Sequence, residues 1–398
     1  MTTVLTEAMV KKLAPKVKLL VLMLLLAGLL PGCAHDAKSV GPIFFPPPPD
    51  EPHIQYLTGV DSSLDLAKQD KFSSMLTGGS VLVTRLAKPY GIAEHDGKLY
   101  VCDVGASQAV VVDFLNKSMH NLNEEQGSGR LQKPIGIAVD EEGYVYVADN
   151  GRKDIAVYAP DGHFLKAYAR DLTHTSIIGV AIYHDFLLAL DNRLGKIFVM
   201  DRKTGELLST IGENKDRTKN MALPNGISVD SKGNIHVVNM GNGTVKEYDL
   251  DGNMLSEFGK LGDAPGEFAR PRGIAVDDAG MVFVVDAGNQ VTQVFNDKHR
   301  ILGFFGQPGL PAGSLNLPAG VVISKKNLDL FQKYAAPGFK LQEVIFVTNQ
   351  YSSPINPSLS VYGLGEMEGR NYGAPDKKPE PKAAVSAAKT AKPKDPKQ

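Results

Sequence analysis

The stretch Arg270–Asn289, RPRGIAVDDAGMVFVVDAGN, is spoken more than once in this chain. KPIGIAVDEEGYVYVADNG begins at Lys133, and LPNGISVDSKGNIHVVNMG begins at Leu223. The glycine of this phrase falls at Gly91, Gly136, Gly226, Gly273 and Gly320, with a degenerate copy, IIGVAI, at Gly179. The successive gaps are 45, 43, 47, 47 and 47 residues. A period of that length marks a unit too small to bury its own faces, which becomes stable by stacking on its neighbours.

The unit around Gly226 shows what is repeated. GISV, NIHVV, TVKEYD and MLSEFG read as four short strands a to d, separated by DSKGN, NMGNG and LDGN. Each run is β-branched or aromatic and bounded by Gly, Asn or Asp, as strands are. Six units of four strands predict an all-β fold, a six-bladed β-propeller, with strand a nearest the axis. Small residues there permit close approach, and the proline before them sits where a missing N–H does least harm. The Asp or Asn ending strand b (Asp103, Asp149, Asp191, Asn239, Asp286, Asn349) suits capture of b–c turn amides. A carboxylate repeated once per blade is a turn device and not six active sites.

Ring closure is also readable. The sixth unit runs GVVIS, EVIFVTNQ, SLSVYGLG and then leaves off, so it lacks strand d. HIQYLTGV, His53 to Val60, resembles the other d strands, so His53 to Gly59 is expected to complete the last blade and remove the open edge. The sixth unit also carries an insertion, KKNLDLFQKYAAPGFKLQ, in its a–b turn. Leu328, Phe331 and Tyr334 recur every three residues there, which predicts a short amphipathic helix packed on its own blade.

These residues carry a family resemblance. KPIGIAVDEEGYVYVADNGRKDIAVYAPDG and RPRGIAVDDAGMVFVVDAGNQVTQVFNDKHRILGFFG resemble NHL repeats, units of a six-bladed propeller. The likeness is strong in units two, four and five, weaker in the first and poor in the third. The chain has 0 tryptophans, so it cannot supply the Trp-Asp pair of WD-type blades.

The ends read differently. Lys11, Lys12, Lys16 and Lys18 precede LLVLMLLLAGLL, Leu19 to Leu30, which is too short to span a bilayer and has the length of a signal-peptide core. It ends in LPGC, Leu30 to Cys33, which resembles the lipobox of bacterial lipoproteins. The resemblance implies a signal peptide over residues 1–32 and a membrane anchor through acylated Cys33. Ala34 after that cysteine favours the outer membrane over the inner. The segment 33–52, with GPIFFPPPPDEP, reads as an extended proline-rich tether that does not pair as a strand. The propeller is assigned to 53–369, and 370–398 to a disordered Lys/Pro/Ala-rich tail. Cys102, the other of the 2 cysteines, reads as a buried core thiol.

The propellers related to NHL domains include gluconolactonases, paraoxonases and the peptide-amidating lyase, which hold calcium or zinc at or near the axis. That resemblance would place ligands at the residue between Pro and Gly of each unit: Tyr90, Ile135, Asn225, Arg272, Ala319, and Ile177 or Ile178. Only Asn225 is a natural calcium ligand, and an arginine beside it opposes a cation. The histidines do not converge on this reading: His95 and His184 lie near a–b turns, His163 and His299 in c–d turns, and His236 reads as a core or groove residue. No metal, cofactor or catalytic residue is therefore assigned. No CxxCH occurs, so the chain binds no c-type haem.

A binding reading remains. The d–a and b–c loops share one face and bring Lys88, Lys133, Arg152, Lys153, Arg193, Arg270 and Arg272 together with Tyr90 and Asn225. With a formal net charge of −1, the whole chain gives no argument for nucleic acid, but a basic face attracts an acidic protein or an anionic glycan. Tyr90, Lys133, Arg152, Asn225, Arg270 and Arg272 are the expected partner-binding residues of a monomeric, non-enzymatic scaffold in an envelope or electron-transfer assembly. The alternatives are a metal-dependent propeller enzyme of lactonase or amidating-lyase type and, for Arg272, a structural ion pair with a b–c turn aspartate. The anchor has a direct test: Cys33→Ser should release the protein from membranes, and a variant that stays membrane-bound through a high-salt wash removes the lipid from the account.

Overall fold

The computed structural model describes residues 41–67, 83–123, 127–213, 216, 219–353 and 355–369. The expected signal peptide, Cys33 and the Lys/Pro/Ala-rich tail lie outside the described residues. Within them stand six antiparallel sheets, one per repeat.

Each blade follows the a-b-c-d order read from the repeat. The first is β3 to β6 (Pro89–His95, Lys98–Asp103, Gln108–Asp113, Ser118–Asn121) and the second β7 to β10 (Pro134–Val139, Val145–Asp149, Asp154–Tyr158, Phe164–Tyr168). The third is β11 to β14 (Ile177–Tyr183, Phe186–Asp191, Lys196–Asp201, Leu207–Ile211). The fourth is β15 to β18 (Pro224–Val229, Ile235–Asn239, Thr244–Tyr248, Met254–Phe258) and the fifth β19 to β22 (Pro271–Val276, Val282–Asp286, Val291–Phe295, Ile301–Phe305). The sixth holds β23 to β25 (Pro318–Ser324, Phe339–Asn349, Leu359–Met367).

The inner strands are drawn together by their glycines. A Cβ on Gly91 would stand 2.2 Å from the Ile135 carbonyl oxygen of the next blade. A Cβ on Gly320 would stand 2.5 Å from the Tyr90 carbonyl oxygen, so the same contact joins the last blade to the first. No side chain fits in either place, which is why the phrase keeps a glycine there. Strands b and c lie between sheets and are almost wholly buried; the burial pattern of Val145–Asp149 and of Val282–Asp286 is unbroken. Strand d faces solvent with alternate residues exposed, as in Ile301–Phe305.

The sixth blade is closed as the missing strand requires. β2, Ile54–Val60, pairs antiparallel with β25, with Ile54 opposite Leu364 and Val60 opposite Leu359. The proline-rich segment departs from expectation. Phe44–Phe45 forms β1, pairs with β2 and makes this sheet five-stranded. Proline cannot donate to a ladder, but the two phenylalanines can, and Phe45 buries its ring against Phe305 and Tyr362 at 6.1 Å each. The insertion forms a one-turn helix, Leu328–Gln332, whose Phe331 is buried between Phe346 of its own blade (5.5 Å) and Phe114 of the first (5.0 Å). It therefore packs on its blade and also bridges the closing seam.

The clasp buries Ile54, Leu57 and Val60. Three aliphatic side chains are worth several kcal/mol, roughly 10 °C in melting temperature for a domain of this size. Deleting His53 to Val60 should cost at least that in a thermal scan, and a variant that melts with the wild type would show the ring closes without it.

Candidate functional sites

The face built from d–a loops and b–c turns is organised by the carboxylates that end strand b. Asp149 is fully buried, and its Oδ1 accepts Lys133 N (2.8 Å), Gly151 N (2.9 Å) and Arg152 N (3.1 Å) while Oδ2 accepts Gln132 N (2.6 Å). Asp103 does the same for Ala87, Lys88, Gly105 and Ala106, and Asp286 for Ala269, Arg270 and Gly288. Each carboxylate thus ties the b–c turn, as expected, and also the incoming d–a loop. The backbones of Lys88, Lys133, Arg152 and Arg270 are fixed by these bonds.

At the axis, the inner positions meet as their spacing requires. Tyr90, Ile135, Ile178, Asn225, Arg272 and Ala319 line a cavity of about 80 Å³. The Tyr90 hydroxyl donates to Asn225 Oδ1 at 3.1 Å, and the Arg272 guanidinium lies 5.6 Å from the Tyr90 ring centre. Arg272 Nη1 donates to Gln350 Oε1 at 2.9 Å. Arg272 is only 6% exposed, and burial pushes its guanidinium below its ordinary value, with Arg270 adding to the effect. Among the described residues no carboxylate lies within ion-pair reach of it. The structural ion pair with a b–c turn aspartate is therefore not made, because those aspartates are saturated by backbone amides.

The other expected residues divide. Lys133 and Arg270 are exposed on the same face. Arg152 is taken up by the fold: Nε donates to Asp154 Oδ1 at 2.9 Å and Nη1 to the Arg130 carbonyl at 2.9 Å, with the guanidinium 5.4 Å from the Phe164 ring centre. Beside it lies a groove of about 1070 Å³ between the second and third blades, lined by Arg130, Lys153, Arg170, His174 and Arg193. Asp154 is the one carboxylate among the described lining residues, and Arg152 and Arg170 (3.1 Å) both engage it. Cys102 is buried, as expected; burial first, then Asp149 and Asp103, hold its thiol well above the ordinary range.

At the opposite end of the axis is a chamber of about 470 Å³ whose lining includes Glu94, Asp277, Asp278, Lys325 and Glu343. Burial raises the pKa of Asp277, and burial followed by the charge of Asp277 raises that of Glu343. Asp277 Oδ2 and Glu343 Oε2 are buried without a hydrogen-bond partner, while Lys325 Nζ lies 3.2 Å from Glu343 Oε1. In the sequence nothing sets this pair apart, because Asp277 looks like any a–b turn aspartate, and its Oδ1 does accept Ala279 N and Met281 N at 2.9 and 2.7 Å.

One expectation is overturned. The histidines do converge in part: a ligating atom each of His236, Glu247 and His299 lies within 4.8 Å of the others. His236 is in strand b of the fourth blade and His299 in the c–d turn of the fifth, which the ring sets side by side.

No protein-family model matches this chain, and no curated protein matches it in sequence. Solved structures do match in fold. A gluconolactonase from Xanthomonas campestris superposes with a TM-score of 0.51 at 16% identity, covering 70% of this chain and 86% of its own. A virginiamycin B lyase from Staphylococcus aureus superposes at 0.45 and 15% identity, covering 60% and 75%. At such identities the likeness is one of architecture: a six-bladed propeller of four-stranded blades.

The contrast between Asp149 and Arg272 separates scaffold from site. Asp149→Ala would strip acceptors from four backbone N–H groups and should cost on the order of 4 kcal/mol or more. Arg272→Met loses one bond to Gln350 but removes a buried charge with no counter-charge, so its stability should stay within about 1.5 kcal/mol of wild type. Denaturant midpoints decide this, and an Arg272→Met as damaging as Asp149→Ala would make Arg272 part of the scaffold.

Proposed function

We propose that this chain is a non-enzymatic recognition module of NHL-repeat type, held at a bacterial envelope by a lipid on Cys33, whose d–a/b–c face binds an anionic protein or glycan. The observation that carries this reading is Arg272. A buried guanidinium whose only hydrogen-bonding side chain among the described residues is a neutral glutamine is costly to keep. Folding does not ask for it, since Ala319 fills the same inner position in the sixth blade. A carboxylate presented at the channel mouth would supply the missing charge. Around the mouth, Lys133 and Arg270 are exposed, and Arg130, Lys153 and Arg193 stand in the groove without a carboxylate partner among the described residues. A face of one sign raises the encounter rate with an acidic partner and loses that advantage in salt.

A second reading is a metal-dependent propeller enzyme of lactonase or amidating-lyase type. The fold likeness to the gluconolactonase favours it, as does the pair Asp277 and Glu343 in the far chamber. Two buried carboxyls with raised pKa values beside one lysine form the kind of arrangement used for acid–base work. Against it stands the mouth of the channel, where Arg272 occupies the place a cation would need.

The two readings part on one set of measurements. Arg130→Glu, Lys153→Glu and Arg193→Glu together should weaken retention on immobilised polyglutamate or a uronate polysaccharide by about tenfold or more, in a salt-dependent way, with little change in melting temperature. Equal retention by wild type and variant would remove the groove from the recognition face. Hydrolysis of a sugar lactone that Glu343→Gln abolishes would move the function to the far chamber.

A further inference from the structure

The fourth blade breaks the repeat in one row. Across strands a to d, Ser228 pairs with His236, His236 with Glu247, and Glu247 with Ser256. The same row in the fifth blade is Ala275, Phe283, Val294 and Gly303. In the second it begins Ala138, Tyr146, Val157, and in the first Ala93, Tyr100, Val111. The third blade carries Leu188 and Val199 at the middle places, and the sixth Phe346 and Val361. Five blades thus put a valine in strand c where the fourth puts a glutamate, and a large apolar or aromatic residue in strand b where the fourth puts a histidine. Polar groups have replaced core at the seam between the fourth and fifth blades.

The fifth blade answers with His299, from its c–d turn. His299 stacks on Phe258 at 4.4 Å and 12°, which fixes the ring plane. Ser256 Oγ donates to Glu247 Oε2 at 2.7 Å and stands 3.4 Å from His299 Nδ1. With its proton committed to Glu247, that hydroxyl accepts from Nδ1–H, a tautomer assigned from the network, which leaves the lone pair on Nε2. That Nε2 stands 3.6 Å from Glu247 Oε2, close enough for both atoms to reach one ion. His236 is 3% exposed, and neither of its ring nitrogens has a hydrogen-bond partner among the described residues. Its nearest charged neighbour, Asp230 Oδ2, is 3.6 Å from Nε2, beyond a hydrogen bond. A buried imidazole of this kind costs free energy unless something binds it.

We propose that His236, Glu247 and His299 form a binding site for a zinc-type divalent cation that clips the fourth blade to the fifth. Two imidazoles and a carboxylate are a donor set suited to Zn²⁺, whereas a site for calcium would be built of oxygens. The ligating atoms lie within 4.8 Å of one another, so modest side-chain rotation brings them onto one ion. Ser256 is the outer partner that orients both Glu247 and His299, as hydrogen-bonded neighbours of metal ligands do. The site is off the axis, apart from both the channel mouth and the far chamber, and it stands whichever reading of the function holds.

The test uses the purified full chain, first stripped with chelator. Added Co²⁺ should give the visible d–d absorption of a low-symmetry site at one ion per chain. Added Zn²⁺ should displace it and raise the melting temperature progressively with concentration. His236→Phe with Glu247→Val installs the residues the fifth blade carries at these places, so the variant should fold while losing the Co²⁺ band and the Zn²⁺ shift. His299→Gln, changed in a turn, checks the site independently and should weaken Co²⁺ binding at least about tenfold. A wild type that gives no band, or a band and shift that survive in both variants, overturns the proposal; in the first case the cluster holds protons only, and in the second the ion sits on other histidines.

Discussion

Everything on the face of d–a loops and b–c turns hangs from one interaction, the buried carboxylate at the end of strand b accepting backbone N–H groups from two loops at once. A carboxylate that accepts several backbone bonds out of water is among the stronger polar contacts a fold can make. It converts two flexible connections into one rigid corner, and it does so through the amides of residues whose side chains then point outward. Lys88, Lys133 and Arg270 owe their positions to Asp103, Asp149 and Asp286 in this way. Where the fourth blade has Asn239, its side-chain oxygen takes Ala222 N, and Gly241 N, whose counterparts Gly105, Gly151 and Gly288 bond the carboxylate, goes to the Ala222 carbonyl instead; the Met240 N to Leu223 carbonyl bond is kept from the other blades. The corner survives with a weaker centre, so an asparagine suffices.

A repeat protein offers an internal control that other folds lack. Every residue has up to five counterparts doing the same structural task, so a departure with no structural benefit stands out. Arg272 against Ala319 is one such departure, and the His236–Glu247 row against the aromatic–valine rows is another. Asp140 in the second blade is a useful contrast. There the turn aspartate's outer oxygen takes the Tyr146 hydroxyl at 3.1 Å and the Arg202 guanidinium, so that carboxylate is satisfied within the protein, although Arg202 Nε is not. At Asp277 the outer oxygen, and at His236 both ring nitrogens, are left unsatisfied. Buried groups left so are costly, and a ligand that paired them would recover that cost.

The fold was legible in the sequence because its determinants are local and periodic. The inner glycines, the strand-b acid and the a–b turn recur at a fixed spacing, and even the closing strand betrays itself by a missing run and a matching one elsewhere. The inner positions Tyr90, Asn225 and Arg272 were legible for the same reason: equivalent places in successive blades must meet at the axis. Contacts between adjacent blades were not. Gln350 reaches Arg272 from a b–c turn, and His299 reaches Glu247 from a c–d turn, each fixed by how far one sheet twists against the next. The pairing of Phe44 and Phe45 is masked in the sequence by the four prolines that follow, although only the aromatics enter the ladder. Glu247 is masked likewise, because along its own strand it is one polar residue among several and its oddity lies in the valine that the other five blades carry at that place.

The near-neutral total charge conceals a polar distribution along the axis. Arg272 stands at one end, with Arg270 beside it, and Asp277, Asp278 and Glu343 stand at the other. Between them the glycines bring six backbones so close that the cavity at the mouth holds about 80 Å³, against about 470 Å³ in the far chamber. The neck keeps the two ends apart: the narrow mouth offers one buried guanidinium, and the wider chamber offers two buried carboxyls beside a lysine. A ligand of one sign suits one end and is opposed at the other, so the axis presents two separate places for binding rather than one continuous channel.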